Sequence, residues 1–147
     1  MPPRLVAAIA ALGLVATAGA ASADPIQTRQ KLMDANGAAA KVSGEMLKGN
    51  IPFNADVAMA ALTTFQAVGL SYRDYFPDGS QTGGDTHAKE NIWTDREGFI
   101  AADNKLAEAA AAGVAAKPAD LDAFKAVFGP IGQACSNCHE TYRVPYD

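Results

Sequence analysis

Cysteine is scarce in this chain of 147 residues, with only two copies. That is too few for a disulfide-dense scaffold. Aromatic residues make up 7% and tryptophan occurs once, so stacked rings do not dominate the core. Basic charge is short as well: 12 Lys and Arg face 16 Asp and Glu, a net charge of −4. Nucleic-acid binding asks for a basic patch or stripe, and none is present. Strand-like alternation is missing over any useful length. So are the glycine patterns of Rossmann and P-loop folds, a second pair of zinc ligands, paired carboxylates with a pocket, and a Ser-His-Asp set. The length excludes a large multidomain enzyme, and a hydrophobic share of 49% excludes disorder. What remains is one small acidic domain.

The first 23 residues read as a secretory signal rather than as part of that domain. Arg4 gives a short positive start, Leu5 to Gly19 is uncharged and rich in Ala, Leu and Val, and Ala21-Ser22-Ala23 fits a small-residue cleavage site. An uncleaved anchor is the alternative, because the uncharged run approaches the length of a spanning helix. Its Ala and Gly content and its ending favour cleavage. Removing residues 1–23 leaves 124 residues; with Arg4 gone, 11 basic side chains face 16 acidic ones, a net charge of −5. The expected destination is a bacterial periplasm.

Residues 24–147 show four stretches of helical periodicity. The first opens at Asp24-Pro25 and runs to about Lys48, with Ile26, Met33, Ala40 and Leu47 recurring every seven residues beside Leu32, Ala39 and Met46. The second follows Asn54 and carries Ala58, Ala61, Leu62, Phe65, Val68, Gly69, Tyr72 and Phe76, with Pro77 as its stop. Residues 77–90 hold Gly79, Gly83 and Gly84 and read as a long loop, a feature that often covers a functional site. The third stretch is expected from Ile92 to Ala112, with Gly113 near its end and Trp93, Phe99, Ile100, Leu106 and Ala110 inward. The fourth carries Leu121, Phe124, Phe128, Ile131, Cys135, Cys138 and Tyr142, with a kink or break expected at Gly129-Pro130. Four such helices predict an all-α, antiparallel up-down-up-down four-helix bundle.

Cys135-Ser136-Asn137-Cys138-His139 is the C-x-x-C-H pattern of c-type haem attachment. Two thiols three residues apart share one helical face and can add to the two vinyl groups of one porphyrin. His139, four residues after Cys135, lies on that face and is placed to be the proximal iron ligand. A thioredoxin-like pair would need a βαβ frame, and a zinc site would need more ligands than His87, the only other histidine. A disulfide three residues apart on a helix would constrain little. Covalent haem c is the expected cofactor, one per chain, through thioether bonds at Cys135 and Cys138. A flat porphyrin between helices also suits an interior of small, alanine-rich residues.

The sixth iron position decides the use of such a centre. An empty position binds small gases, whereas a thioether there builds an electron-transfer site. Met33, Met46, Met59 and His87 are the candidates, and spacing alone leaves the choice among them open. Met33 lies on the inner seam of the first helix, with Met46 nearly four turns further along. Met59 lies beside the stripe of the second helix, and His87 reads as a solvated loop residue.

Over its whole length from Asp24 the chain resembles the class II c-type cytochromes, the cytochrome c′ family. The resemblance is carried by Gly83-Gly84-Asp85, Ile92-Trp93, Phe128 to Gly132 and Tyr142-Arg143 around a haem motif near the C-terminus. Arg29-Gln30-Lys31-Leu32-Met33, Asn36-Gly37 and Pro130-Ile131-Gly132-Gln133-Ala134 resemble its low-spin cytochrome c-556 branch. In that branch the residue four after the first-helix arginine is a methionine that binds the iron; in five-coordinate members it is a non-ligating apolar side chain. The resemblance therefore implies Met33 as sixth ligand opposite His139. Arg29 and Arg143 are expected either to meet haem propionates and shape the pocket or to be solvated surface charge. Trp93 is expected as a core anchor.

The resulting expectation is a periplasmic one-electron carrier, not an enzyme, with a low-spin His/Met iron. The alternative is a five-coordinate protein that binds nitric oxide or carbon monoxide. Expected partners are other periplasmic redox proteins, met transiently. No nucleic acid and no membrane span after signal cleavage are expected, and a homodimer is left open.

Overall fold

A computed structural model describes residues 24–145; the expected signal segment lies outside them. Five α-helices are present among the described residues: α1 (Pro25–Leu47), α2 (Ala55–Ser71), the single turn α3 (Asn91–Thr94), α4 (Arg96–Ala116) and α5 (Leu121–Tyr142). The four long ones form a four-helix bundle. Each opens on an acidic or amide side chain that accepts a hydrogen bond from an orphan backbone N–H. Asp24 takes Ile26 N at 2.9 Å, Asn54 takes Val57 N at 3.0 Å, Asp95 takes Gly98 N at 3.2 Å and Asp120 takes Ala123 N at 2.8 Å.

Four expectations about the helices need correction. The second stretch does not stay α-helical to Phe76: it tightens into a 3-10 turn at Tyr72–Tyr75, and the Tyr75 carbonyl turns to accept from Arg29. The third is split at Asp95, whose carboxylate caps α4 and also accepts from Tyr142 Oη at 2.7 Å. Gly113 does not end α4. It lies under Leu62, and the helix runs on to Ala116, where Lys117 adopts a left-handed conformation. At Gly129-Pro130, α5 runs through without a break. Both residues are exposed, so the carbonyl that loses its donor to proline faces water rather than the core.

Neighbours in the chain are neighbours in space: α1 packs on α2, α2 on α4, and α4 on α5. The α2–α4 pair approaches closely at Gly69, where an added Cβ would come within 2.8 Å of the Ala107 nitrogen. The pair that would close the ring, α1 and α5, scarcely touches. Two apolar clusters fill the interior. One is built on Met46, Leu62, Phe65, Phe124 and Ile131, the other on Phe76, Ile92, Phe99 and Tyr142. Residues of both clusters line the space between α1 and α5.

The buried ridge of α1 is Ile26, Arg29, Asn36, Ala39, Ser43 and Met46, not the sevenfold seam expected from apolar residues. Three of its members are polar and so are invisible to a hydrophobicity pattern. Met33 and Ala40 from that seam instead face the space opposite α5.

Candidate haem site

The gap between α1 and α5 is a cavity of about 620 Å³, within the usual size range for small-molecule and cofactor sites. Ala134, Cys135, Cys138 and His139 form its α5 wall. Ile26, Arg29, Met33, Asn36, Gly37 and Ala40 form the α1 wall, and Phe65, Phe76, Phe99 and Leu106 close it from the side. The sequence motif and the proposed thioether therefore stand on opposing helices of one cavity.

Cys135 and Cys138 are free and half-buried. Burial pushes the Cys135 thiol up. Burial, with the nearby Asp103 carboxylate and Cys135, pushes Cys138 up to about 11. Neither is a ready thiolate at neutral pH, which disfavours a nucleophilic or zinc-binding use. Among the described residues, no group of three or more His, Cys, Asp and Glu could hold a metal ion. Burial, then the Arg143 charge, lowers the His139 pKa, leaving the neutral imidazole that a metal needs as its ligand.

Of the sixth-ligand candidates, Met33 and His87 line the cavity. Met46 is 1% exposed inside the first apolar cluster, and Met59 packs against that cluster from outside. His87 is not the solvated loop residue expected. It is half-buried, and its carbonyl accepts from Val144 N at 2.7 Å, just past the end of α5. That bond and an isolated bridge between Ala88 and Arg143 clasp the long loop to the helix that carries His139.

Arg29 is buried at 3% exposure, so it is no surface charge. Its Nη1 donates to Tyr75 O at 3.3 Å and Ser80 Oγ at 3.1 Å, and its Nη2 to Ser80 O at 2.9 Å and Thr86 Oγ1 at 3.3 Å. The guanidinium also stands 4.6 Å from the centre of the Phe76 ring and 5.7 Å from that of Trp93. Burial lowers its pKa. Its role is to hold the loop over one end of the cavity. Trp93 is an anchor as expected: its Nε1 donates to Pro77 O at 3.1 Å and its ring meets Phe76 edge-on. It backs Phe76 and does not line the cavity.

In the cavity lining, Asn36 Oδ1 and Asp103 Oδ2 are buried without a hydrogen-bond partner. Orphaned atoms of this kind are rare in finished structures. Together with two thiols on one face and two parted helices, they fit a chain shaped around a bound group. Asp103 was not singled out from the sequence. Its signal is a carboxylate in phase with Phe99, Leu106 and Ala110, where the helix pattern asks for an apolar residue.

The match to known proteins decides the family. A family model described as cytochrome c′ matches residues 24–143. The chain belongs to the cytochrome c′ family. It is similar to a cytochrome c-556 of Rhodopseudomonas palustris, 36% identical over 146 residues, covering 95% of this chain and 96% of that one. Its fold is similar to that of cytochrome c′ from the same organism, with a TM-score of 0.81 and 32% identity over 86% of this chain and 100% of that one. Oxidised cytochrome c556 of R. palustris gives a TM-score of 0.75 and 30% identity, again over 86% and 100%. This cytochrome c′ relative is thus a c-type haem protein with the four-helix bundle of its family. No helix among the described residues is long and apolar enough to cross a membrane.

Proposed function

We propose that the chain is a one-electron carrier whose haem c would be joined to Cys135 and Cys138 and held by His139 and Met33. The supporting observation is the position of Met33: alone among the candidate methionines it lines the cavity, on the wall facing the helix of His139. When bound, the haem supplies one reversible electron at its iron. The protein's part is to hold both axial side chains in place and keep water from them. Cys135 and Cys138 fix the group to α5, and the clasp between residues 87–89 and 142–144 steadies the turn that carries His139. Arg29 ties the loop down over the α1 side. Buried rings of Phe65, Phe76 and Phe99 keep the cavity apolar.

Residues 1–23 are read as an export signal, with the mature domain from Asp24 to Asp147 in the periplasm; the family match beginning at residue 24 supports this. Partners are small redox proteins met transiently, with a positive docking patch facing the acidic surface. The reading is tested by the absorption spectrum of the oxidised holoprotein at neutral pH. A low-spin spectrum with a methionine–iron charge-transfer band is expected. A high-spin, five-coordinate spectrum would overturn it in favour of the gas-binding alternative.

A further inference from the structure

Asn36 sits one turn after Met33 on the α1 wall, is 7% exposed, and has a buried amide oxygen without a partner. Leaving such an atom unmet is costly, so an apolar residue would be the cheaper choice here unless the amide has a use. Nothing else in the fold claims it. Arg29, the other deeply buried polar side chain on this wall, is fully engaged with the loop.

Helical side chains lean toward the N-terminus of their helix, and residues three apart are neighbours on its surface. Asn36 therefore leans over the turn that carries Met33. Its last torsion is broad and roughly two-fold. A half-turn brings its N–H into the place of the unpartnered oxygen. The Met33 thioether is a weak acceptor with no donor of its own, so it complements an N–H and not a carbonyl.

We infer that Asn36 is a positioning residue: its carboxamide donates an N–H to the Met33 sulfur and holds that sulfur toward the centre of the cavity. This rests on the reading of Met33 as the sixth ligand. The unbranched methionine side chain has three rotatable bonds and many conformers. A single directed contact from the same helix selects among them without drawing the helix inward.

The test compares holoproteins of wild type, Asn36→Leu, Asn36→Ala, Asn36→Gln and Met33→Ala. Three quantities are read: the methionine–iron band of the oxidised form, carbon monoxide binding to the reduced form, and urea unfolding. Asn36→Leu and Asn36→Ala are expected to weaken the band and speed carbon monoxide binding at least tenfold. Asn36→Gln, which keeps an N–H, should recover much of the wild-type behaviour. If both donor-free variants change urea stability alone, with band and gas binding as in wild type, Asn36 is a packing residue and the inference fails. Failure of the underlying reading looks different: the wild type would lack the band and Met33→Ala would leave the spectrum unchanged, and the inference would fall with it. Two donor-free variants of different volume keep the test open if one does not fold.

Discussion

A buried cation with no carboxylate bonded to it has to be solvated by the protein itself, and Arg29 is solvated by carbonyl and hydroxyl oxygens of the Tyr75–Thr86 segment. Arg29→Leu would strip those oxygens of their donor and free the loop. Hydrogen bonds from a charged donor and the oxygens left unmet set the cost at about 2–4 kcal/mol. Urea unfolding of the holoprotein measures it, and a loss below about 0.5 kcal/mol, the scatter of ordinary surface changes, would show the staple to be slack. Asp103 is the opposite case. Burial raises its carboxyl to about 6, opposed by Arg73 and Arg96 and reinforced by Asp74. Its acid form is therefore favoured in the folded chain, while the unfolded chain gives the proton up near 3.8. Between those values the folded state binds more protons, so stability falls as pH rises from about 4 to 6, and the loss is complete above 6. Asp103→Asn should therefore be more stable than wild type at pH 7 by about 1–3 kcal/mol, with no such gain at pH 4. Parallel urea curves at the two pH values decide it; a gain of the same size at both would mean that the carboxyl does not titrate in this way.

At the scale of elements, the α2–α4 seam brings two helix backbones close together at Gly69. Gly69→Ala would push a methyl group against the Ala107 backbone, which cannot yield as a side chain can, and should cost about 1–3 kcal/mol. Gly129→Ala in α5 meets nothing within 4 Å and should gain about 0.5–1 kcal/mol through helix propensity alone. Thermal unfolding of the two variants should move in opposite directions; a shared direction would contradict the packing described. The elements themselves were legible in the sequence wherever apolar spacing and capping agreed, as for α1 with Asp24 and α2 with Asn54. The break at Asp95 was not legible, because it depends on a hydroxyl from Tyr142 in another helix. Pro130 misled for a related reason: its local cost is real, but its exposure cannot be read from residue order. The haem motif was legible because its thiols and imidazole must share a helical face at fixed spacing, whereas Met33 was singled out among the methionines only by the resemblance to the c-556 branch. Asp103 hid, and the burial of Arg29 stayed open, because a polar residue in a buried phase looks like noise until its surroundings are known.

For the molecule as a whole, the charge of −5 expected after signal removal governs encounters at long range. Electron exchange with a positively charged redox protein should slow as ionic strength rises, as steering is screened within about 10 Å at 0.1 M salt. Stopped-flow rates at low and high salt read this directly. A rate that rises with salt for the same partner would mean that a local basic surface, not the net charge, guides docking.

The parting of α1 from α5 also sets an order of events. The two walls of the cavity come from the first and last long helices described, so the site is the longest-range closure in the fold. Chain closures of that span are slow, because the whole intervening loop must be confined before the contact repays it. Before α1 and α5 are brought opposite each other, the cysteine face of α5 should be open to a porphyrin and to whatever delivers one. Once the bundle closes, the same thiols are half-buried and raised in pKa. The fold thus gives its prosthetic group a docking interval that ends with its own completion.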